Sequence, residues 1–415
     1  MFSRLKKSKD SRRLLENFLS LGFLQIASYI FPLLTVPYLA HVIGASLLGE
    51  IAFAGAVMVY FQTLVDYGFV YSGVRDIARN RTNKEKVSEI YSKVMCSRFL
   101  LLCISIIILF ILILAVPKFT SLSTVLILSF FIVVGHTLFP DWMFQGMEKM
   151  KYITIFNVAV KLLFTICVFI FINKPEDYIL QPIFLSLGYI LCGIGSMYVI
   201  HRWGIRLHKV SFNEIFISLK RNIDLFLNIL VPNLYSSTSV LFLGFWHGNS
   251  ANGIFDAANR FNSAGSSFFS IISRTFYPFL ARRMDRHKFF EKLDLICALA
   301  ISALLFIFAP FIIRLLFPPE FEGAIPTLRI MAVSLIFLAM IDIYGTNSLL
   351  LAKKEKTMRQ ITIVSSLIGL ASAIPLVYLY SYIGVAYSIL ISRFLIGTLS
   401  LVYSKRLQNQ NHIPR

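Results

Sequence analysis

The chain of 415 residues is divided into apolar runs of about 20 residues, separated by short polar loops. A helix of that length is long enough to cross the hydrocarbon core of a bilayer. We predict twelve such spans, at 18–40, 51–73, 94–116, 123–143, 153–172, 179–200, 224–246, 254–280, 293–316, 326–350, 360–380 and 385–403. With 57% hydrophobic and only 15% charged residues, the composition indicates an all-α integral membrane protein.

The distribution of Lys and Arg predicts the orientation of the chain. Of these residues, 31 fall on one predicted side of the membrane and two on the other, which places both termini in the cytoplasm. The net charge of +19 is therefore explained by loops that face the cytoplasm and anionic lipid, and nucleic acid is not an expected partner. The longest connections on the basic side, 74–93 and 201–223, are partly amphipathic and suit helices that lie at the interface.

The two halves of the chain share short motifs. GASLLG at Gly44–Gly49 is matched by GNSANG at Gly248–Gly253, an offset of 204 residues, and Glu148 is matched by Glu355 at an offset of 207. These matches favour a duplicated six-helix lobe. The predicted parts are a basic N-terminus (1–17), a first lobe (18–200), a connection (201–223), a second lobe (224–403) and a tail (404–415).

Six spans in a lobe is an even number, so both lobes enter the membrane in the same direction. A parallel repeat about a pseudo-twofold axis along the membrane normal is therefore expected, with a central cavity between the lobes.

Several basic residues fall inside predicted spans, where a charge usually faces protein or water. Lys161 and Arg393 lie near the middle of their spans, and Arg260 lies about two turns, roughly 9 Å, from the outer end of its span. Near the span ends, snorkelling to the headgroups is an equal alternative, and this applies to Arg98, Arg274, Arg314 and Arg329. Of these four, Arg98 and Arg274 join Arg260, Lys161 and Arg393 as candidate substrate-binding cations of the cavity. An interior with excess positive charge favours an anionic cargo, and guanidinium groups suit a phosphate or diphosphate.

Three carboxylates in the spans have two alternative roles. Asp342 lies deep in the tenth span and Asp66 lies toward the cytoplasmic end of the second, and either could exchange H⁺ or bind Na⁺ as a coupling site. Each could equally be a fixed counter-ion for an arginine. Asp256 lies four residues before Arg260, so these two could pair with each other rather than contact a substrate.

Enzymatic function is disfavoured. The predicted outer loops are short and hold no paired carboxylates, which argues against a polysaccharide polymerase. No nucleotide-binding loop occurs, and the five cysteines are scattered singly, so neither ATP hydrolysis nor a metal or redox cofactor is expected.

Four segments resemble the Wzx-type O-antigen flippases of the multidrug/oligosaccharidyl-lipid/polysaccharide exporter superfamily. They are NFLSLGFLQIASYIFPLLTVPYLAHVIGASLLGEIAFA at Asn17–Ala54, DYGFVYSGVRDIARNR at Asp66–Arg81, FPDWMFQGMEKMKY at Phe139–Tyr152 and NGIFDAANRF at Asn252–Phe261. The resemblance spans nearly the whole chain in order and implies the fold of the MATE transporters of that superfamily. The first span shows no clear counterpart of the paired arginines of lipid II flippases, which argues against that role.

The resemblance implies a flippase that moves undecaprenyl-diphosphate-linked polysaccharide units to the periplasmic leaflet of a bacterial inner membrane, driven by a cation gradient. Arg260, Lys161 and Arg393 would then engage the anionic head of the cargo. The implied partners are this lipid-linked oligosaccharide and membrane lipids, with a polysaccharide polymerase and a chain-length regulator as further candidates. A multidrug/cation antiporter of the same superfamily is the alternative, which the excess of interior positive charge disfavours.

Overall fold

The structure is a computed structural model that describes residues 9–280, 287–352 and 354–409; within these, the side chains of 9–29, 270–272, 274–280 and 408–409 are outside the description. Every regular element in the described part is helical, as predicted. The α-helices are α1 (Lys9–Asp66), α2 (Phe69–Asn80), α3 (Lys84–Ala115), α4 (Pro117–Ser121), α5 (Ser123–Leu138), α6 (Asp141–Gly146), α7 (Met150–Phe171), α8 (Leu180–Arg202), α9 (Phe212–Leu280), α10 (His287–Leu316), α11 (Ala324–Met340) and α12 (Glu355–Asn409). Two 3₁₀ turns, Pro175–Ile179 and Pro319–Phe321, and a π-helix, Ile341–Leu350, complete the chain.

Nine helices among the described residues are long and apolar enough to cross a membrane. Three of them, α1, α9 and α12, are of double length, and each contains one residue with non-helical dihedral angles: Gly44, Gly248 and Ser381. Dividing these three helices at the kinks gives twelve long helical segments in the described part of the chain. That all twelve segments cross the membrane stays a prediction.

The kinks in α1 and α9 lie at equivalent positions of the predicted repeat. Gly44 has φ of 73° and Gly248 has φ of 81°, both in the left-handed region that glycine enters without a steric penalty. These two residues are the first residues of the matched GASLLG and GNSANG motifs. The sequence match thus corresponds to the same backbone turn in each half.

A second local structure recurs at nearly the same spacing. The backbone N–H of Lys149 donates to Phe144 O at 2.8 Å, and the N–H of Lys354 donates to Leu349 O at 2.9 Å, an offset of 205 residues. Each bond closes the turn that precedes a long helix, α7 in one case and α12 in the other. The local geometry of both halves therefore supports duplication of a six-helix unit.

The described chain divides into two compact units, and the division does not follow the midpoint of the sequence. Unit 1 comprises 1–31 and 57–230, and unit 2 comprises 32–56 and 231–415. The first long helix, α1, therefore contributes to both units. Residues 32–56, which contain the Gly44 kink, belong with the C-terminal half of the chain.

Unit 1 is packed through small residues on facing helices. Gly135 of α5 lies so close to Tyr189 and Ile190 of α8 that a Cβ at this position would overlap them. Ser186 Oγ donates to Leu128 O at 2.8 Å across the same interface. Because lipid removes the hydrophobic force between helices, such close backbone contacts are a main source of helix association in membranes.

Unit 2 has a buried core where α9, α10 and α11 meet. Phe269, Ala298 and Leu335 are buried there, with Leu305, Ala332 and Ala339 around them. Ser302 Oγ donates to Ala332 O at 2.8 Å, which joins α10 to α11. On the outer faces of the helices, large apolar side chains are exposed instead, for example Ile107 and Phe110 on α3, as expected for surfaces that contact lipid.

The two matched motifs contact each other within unit 2, and we call this contact the glycine crossing. A Cβ on Gly49 would overlap the carbonyl oxygen of Asn249, and a Cβ on Gly253 would overlap that of Ala45. At the repeat offset of 204, Ala45 is equivalent to Asn249 and Gly49 to Gly253, so the two contacts are the same contact seen from either half. The glycine crossing therefore has the local twofold character that a parallel repeat predicts.

Two carboxylates accept hydrogen bonds at the glycine crossing. Ala45 N–H, which begins the helical segment after Gly44, donates to Glu320 Oε1 at 2.8 Å. Asn249 Nδ2 donates to Glu50 Oε1 at 3.0 Å on the other side of the crossing. A carboxylate at a helix N-terminus satisfies a backbone donor and is stabilised by the helix dipole.

Candidate functional site

A cluster of charged side chains is enclosed within unit 1. The α1 helix ends at Asp66, because the next two residues, Tyr67 and Gly68, have positive φ and redirect the chain into α2. Arg98 of α3 is completely buried, and its Nη2 donates to Asp66 Oδ1 at 2.8 Å and to His136 O at 3.0 Å. The His136 ring presents Nε2 to both oxygens of Asp66, at 3.1 and 3.2 Å.

This arrangement makes Asp66 a counter-ion, one of the two roles left open by the sequence. Arg98 does not snorkel to the headgroups, since its side chain is enclosed by the helices of unit 1. Its Nε and Nη1 atoms have no hydrogen-bond partner in the described part of the chain. Removing one member of such a buried ion pair is strongly destabilising, because the other charge is left without compensation.

In unit 2, Asp256 and Arg260 form the intrahelical pair that was the alternative to substrate contact. The Arg260 Nε and Nη2 atoms lie 3.1 and 3.0 Å from Asp256 Oδ2. The Arg260 side chain is 39% exposed, whereas that of Asp256 is 14% exposed. Arg260 is therefore accessible, but its charge is partly balanced by Asp256 on the same helix.

Arg393 of α12 has a different environment. Its Nη1 donates to Ser334 Oγ at 2.8 Å and to Asn262 Oδ1 at 3.3 Å, and the Tyr235 hydroxyl is a further neighbour. These partners, which come from α11 and α9, are neutral. Among the described residues, Arg393 is therefore a cation held inside unit 2 by polar groups rather than by a carboxylate.

Asp294 on α10 is a further acidic residue inside unit 2, and it is not among the candidates predicted from the sequence. The side chain is completely buried, and neither carboxyl oxygen has a hydrogen-bond partner in the described residues. Among the described residues, the carboxylate of Asp342 is the charged group that interacts electrostatically with Asp294. A buried carboxyl group without a partner is stable only as a neutral acid or with a bound cation.

Asp294 belongs to a polar layer between α10 and the π-helix that contains Asp342. His287 Nε2 lies 3.3 Å from Ile343 O, and Tyr344 hydroxyl donates to Glu291 Oε1 at 2.6 Å. These α10 residues and Asp294 recur at spacings of four and three, so they lie on one helix face. π-Helical turns are rare and are frequent at functional sites, which draws attention to this layer.

Asn347 connects the same layer to α9. Its Nδ2 donates to Ser273 Oγ at 2.7 Å and to the backbone oxygen of Asp342 at 3.0 Å. Asp342, the sequence-based candidate for ion coupling, is thus part of a buried network of side chains and backbone groups. The predicted ninth span begins at 293, which puts Asp294 at its edge, whereas α10 begins at His287 and places Asp294 two turns inside the helix.

Two other sequence candidates are placed less fully. Lys161 lies on α7 in unit 1 and is half-buried. Arg274 lies on α9, but its side chain is outside the described residues. The structure thus assigns Lys161 and Arg98 to unit 1, and Arg260 and Arg393 to unit 2.

A protein-held metal centre has no support in the described ranges. Within 9–280, 287–352 and 354–409, no three His, Cys, Asp or Glu side chains converge as metal ligands. The expectation that the protein works without a metal or organic cofactor stays a prediction.

Comparison with known proteins identifies relatives along the whole chain. Residues 14–284, about two thirds of the chain, match the model of a family described as "Polysaccharide biosynthesis protein". A protein of Escherichia coli (strain K12) named "Putative O-antigen transporter" is 29% identical over 397 residues, which are 93% of this chain and 95% of the relative. A protein of the same name from Shigella dysenteriae is 26% identical over 393 residues, which are 92% and 97% of the two chains.

Solved structures with a similar fold include a lipid flippase and multidrug transporters. The lipid II flippase MurJ in an inward closed conformation has a TM-score of 0.76 at 15% identity, and the match covers 94% of this chain and 87% of that chain. An inward-facing multidrug resistance transporter of the MATE family has a TM-score of 0.66 at 14% identity, with 95% and 98% covered. At such low sequence identities, these structural matches show the fold alone. They confirm the predicted MATE-like architecture.

Proposed function

Because the chain belongs to the polysaccharide biosynthesis protein family, we propose that it is a flippase for lipid-linked polysaccharide units. The cargo is an O-antigen unit attached to undecaprenyl diphosphate, which moves from the cytoplasmic to the periplasmic leaflet of a bacterial inner membrane. Both termini lie in the cytoplasm, and no covalent chemistry occurs. The relatives named as O-antigen transporters and the flippase-like fold support this proposal.

The environment of Arg393 is the observation that carries the proposal. A guanidinium group with neutral partners keeps its positive charge available to an anion that enters the polar interior of unit 2. Its planar set of donors can grip a diphosphate with two parallel hydrogen bonds. Arg260 is the second candidate, since it is exposed enough to exchange Asp256 for a phosphate oxygen.

Two further cations have different roles in this proposal. Lys161, in unit 1, would attract the diphosphate or acidic sugars as a point charge. Arg98 is engaged with Asp66 and His136 and is assigned a structural role, although it was also a substrate-binding candidate. Arg274 keeps its candidacy from its position on α9 alone.

Coupling to a cation gradient would use the Asp294–Asp342 layer. An enclosed carboxyl group without a hydrogen-bond partner can take up and release H⁺, or Na⁺, at modest free-energy cost. Asp66 and Asp256 are paired with arginines and would act as fixed counter-ions. This division gives the coupling role to Asp294, with Asp342 as its acidic neighbour.

A multidrug/cation antiporter is the second candidate function. The likeness to MATE transporters supports it at the level of the fold. The half-buried Arg393 argues against it, because a cation inside unit 2 repels the cationic drugs that such antiporters carry.

Deletion of the gene, followed by analysis of lipid-linked intermediates, tests the proposal. Loss of surface polysaccharide, with single undecaprenyl-linked units accumulating on the cytoplasmic leaflet, is the expected result. Units that reach the periplasmic leaflet but stay unpolymerised would instead identify a polymerase. Normal polysaccharide with increased sensitivity to cationic drugs would identify an antiporter. A polymerase and a chain-length regulator are the proposed functional partners, since they act on the delivered units.

The same assay separates the binding residues from a matched control. Arg393→Gln and Arg260→Gln should each lower transport about ten- to a hundredfold, because each removes a charge-assisted contact to the diphosphate. Arg314→Gln is the control: Arg314 is exposed and pairs with exposed Glu322. Equal, mild effects of all three changes at equal membrane abundance would show that Arg260 pairs with Asp256 and does not bind the diphosphate.

A further inference from the structure

Unit 1 contains a pocket that is lined by none of the candidate site residues named above. It has a volume of about 350 Å³ and is partly open. It is formed by the turn between α2 and α3, the turn between α6 and α7, and the end of α8 with the residues that follow. Its lining residues are Arg81, Thr82, Lys84, Val87, Met147, Lys149, Arg202, Trp203 and Ile205.

The pocket is strongly basic. Four of its nine lining residues are Lys or Arg, and none is Asp or Glu. Arg81 forms an ion pair with Glu148 beside the pocket, and the described residues that line the pocket include no carboxylate. Apart from Thr82, the rest of the wall is apolar or aromatic, and the ammonium group of Lys149 lies 3.5 Å from the centroid of the Trp203 ring.

The positive-inside rule explains why basic residues lie on this predicted cytoplasmic side, but it does not require them to converge. Here three segments far apart in sequence bring their cations to one concave surface. The turn at Lys149 is fixed by its N–H bond to Phe144 O at 2.8 Å and by positive φ at Glu148. These features hold the turn without any ligand.

The third wall of the pocket is the end of α8 with the residues that follow, and contacts within the protein also fix its position. Gly204, with φ of 79°, turns the chain after α8. The backbone N–H groups of Arg206 and His208 then donate to Ser88 Oγ and Ser92 Oγ of α3, at 3.3 and 2.8 Å. A pocket whose walls are already ordered binds a ligand without the entropy loss of arranging them.

We propose that this pocket binds the phosphate headgroup of a membrane lipid. The lysines and arginines supply charge-assisted donors to a phosphate group, and the Trp203 side and the apolar wall suit the ester region of a lipid. The proposal does not rest on the flippase function, because a phosphodiester of an ordinary anionic phospholipid meets the same requirements as a lipid-linked diphosphate. Free phosphate or pyrophosphate has the same charge but no apolar part.

Native mass spectrometry of the purified full chain tests this proposal. The protein is reconstituted in phosphatidylcholine nanodiscs with a minor fraction of phosphatidylglycerol, and the lipids retained after gentle delipidation are counted. Phosphatidylglycerol should be retained in preference to phosphatidylcholine. Lys149→Gln and Arg202→Gln should each lower this retention about fivefold, the effect of one basic residue near an anionic membrane surface.

Lys209→Gln is the matched control, because Lys209 is an exposed cation of the same basic connection and does not line the pocket. Its retention should equal that of the wild type. If Lys149→Gln disturbs the packing on Trp203, Lys84→Gln replaces it, since Lys84 is exposed at the start of α3.

Two outcomes would overturn the proposal. Equal losses in Lys209→Gln and the pocket variants would show general attraction of anionic lipid by a basic surface. Binding of inorganic pyrophosphate at the pocket, with no preferential retention of phosphatidylglycerol, would show that the ligand is a soluble phosphate compound rather than a lipid.

Discussion

Substituting Gly49 by Ala should destabilise the protein, and substituting Gly55 should not. Both glycines lie in the part of α1 that belongs to unit 2. A Cβ on Gly49 would overlap the carbonyl oxygen of Asn249 at the glycine crossing, whereas a Cβ on Gly55 would have no heavy atom within 4 Å. Gly55→Ala is therefore a control with the same chemical change in the same helix.

The expected magnitudes follow from two opposing effects. Ala is favoured over Gly in a helix by about 1 kcal/mol, which stabilises both variants equally. Overpacking of a close contact costs about 1–3 kcal/mol, and only Gly49→Ala incurs it, since backbone atoms form the contact and cannot rotate away. The two variants should thus differ by about 2 kcal/mol in the free energy of unfolding. At ~2–4 °C per kcal/mol, the range for a cooperative unit of the size of unit 2, that difference is roughly 4–8 °C in melting temperature.

Thermal unfolding of the purified variants, followed by intrinsic fluorescence, measures this difference. Gly253→Ala should behave like Gly49→Ala, because it occupies the equivalent position of the same crossing. The double variant should lose less than the sum of the two single losses, since one separation of the helices relieves both overlaps. Melting temperatures of Gly49→Ala and Gly55→Ala within 1 °C of each other would refute the reasoning.

Three further changes probe other contacts. Asp294→Asn should change the melting temperature little, because an amide replaces an unpaired carboxyl group, but transport should no longer respond to an imposed cation gradient; a retained response would exclude Asp294 from coupling. Glu320→Ala should cost about 1 kcal/mol by removing the helix cap, more than Glu322→Ala, whose ion pair is exposed, and equal losses would argue against the cap. Arg98→Gln should cost about 3–5 kcal/mol in unfolding free energy and lower membrane abundance, and adding Asp66→Asn should restore much of the loss; no restoration would contradict the pairing.

Much of the fold could be predicted because the bilayer restricts a chain to a few solutions. Backbone groups in hydrocarbon must be bonded internally, so runs of about 20 apolar residues predict helices almost directly. The match of the Gly44 and Gly248 motifs also has a local cause, since the same left-handed turn requires glycine in both halves. Helix ends were harder to predict, because Asp and Lys near a span edge lower its hydropathy without ending the helix, as at the start of α10.

The site could be predicted only where contacts are local. Asp256 and Arg260 are four residues apart on one helix, so their pairing was one of two stated alternatives. The partners of Arg98 lie 32 and 38 residues away in sequence, and those of Arg393 lie 59 and 131 residues away. Contacts between residues so far apart leave no pattern in the sequence. Only the packing of the helices shows that Arg98 is neutralised by Asp66, whereas the described partners of Arg393 are neutral.

The division of α1 between the two units has a consequence for how the protein is made. Ala45 is synthesised 275 residues before Glu320, the residue that caps it. At ~5–20 residues per second, the ribosome needs about 14–55 s to produce that partner. For most of this interval, until Asn249 and Gly253 are made, residues 32–56 of α1 lack the contacts of the glycine crossing. A gene cut at the midpoint of the chain would therefore yield an N-terminal fragment in which residues 32–56 lack their partners from unit 2, and nascent chains that stall before Asn249 should be substrates for membrane proteolysis.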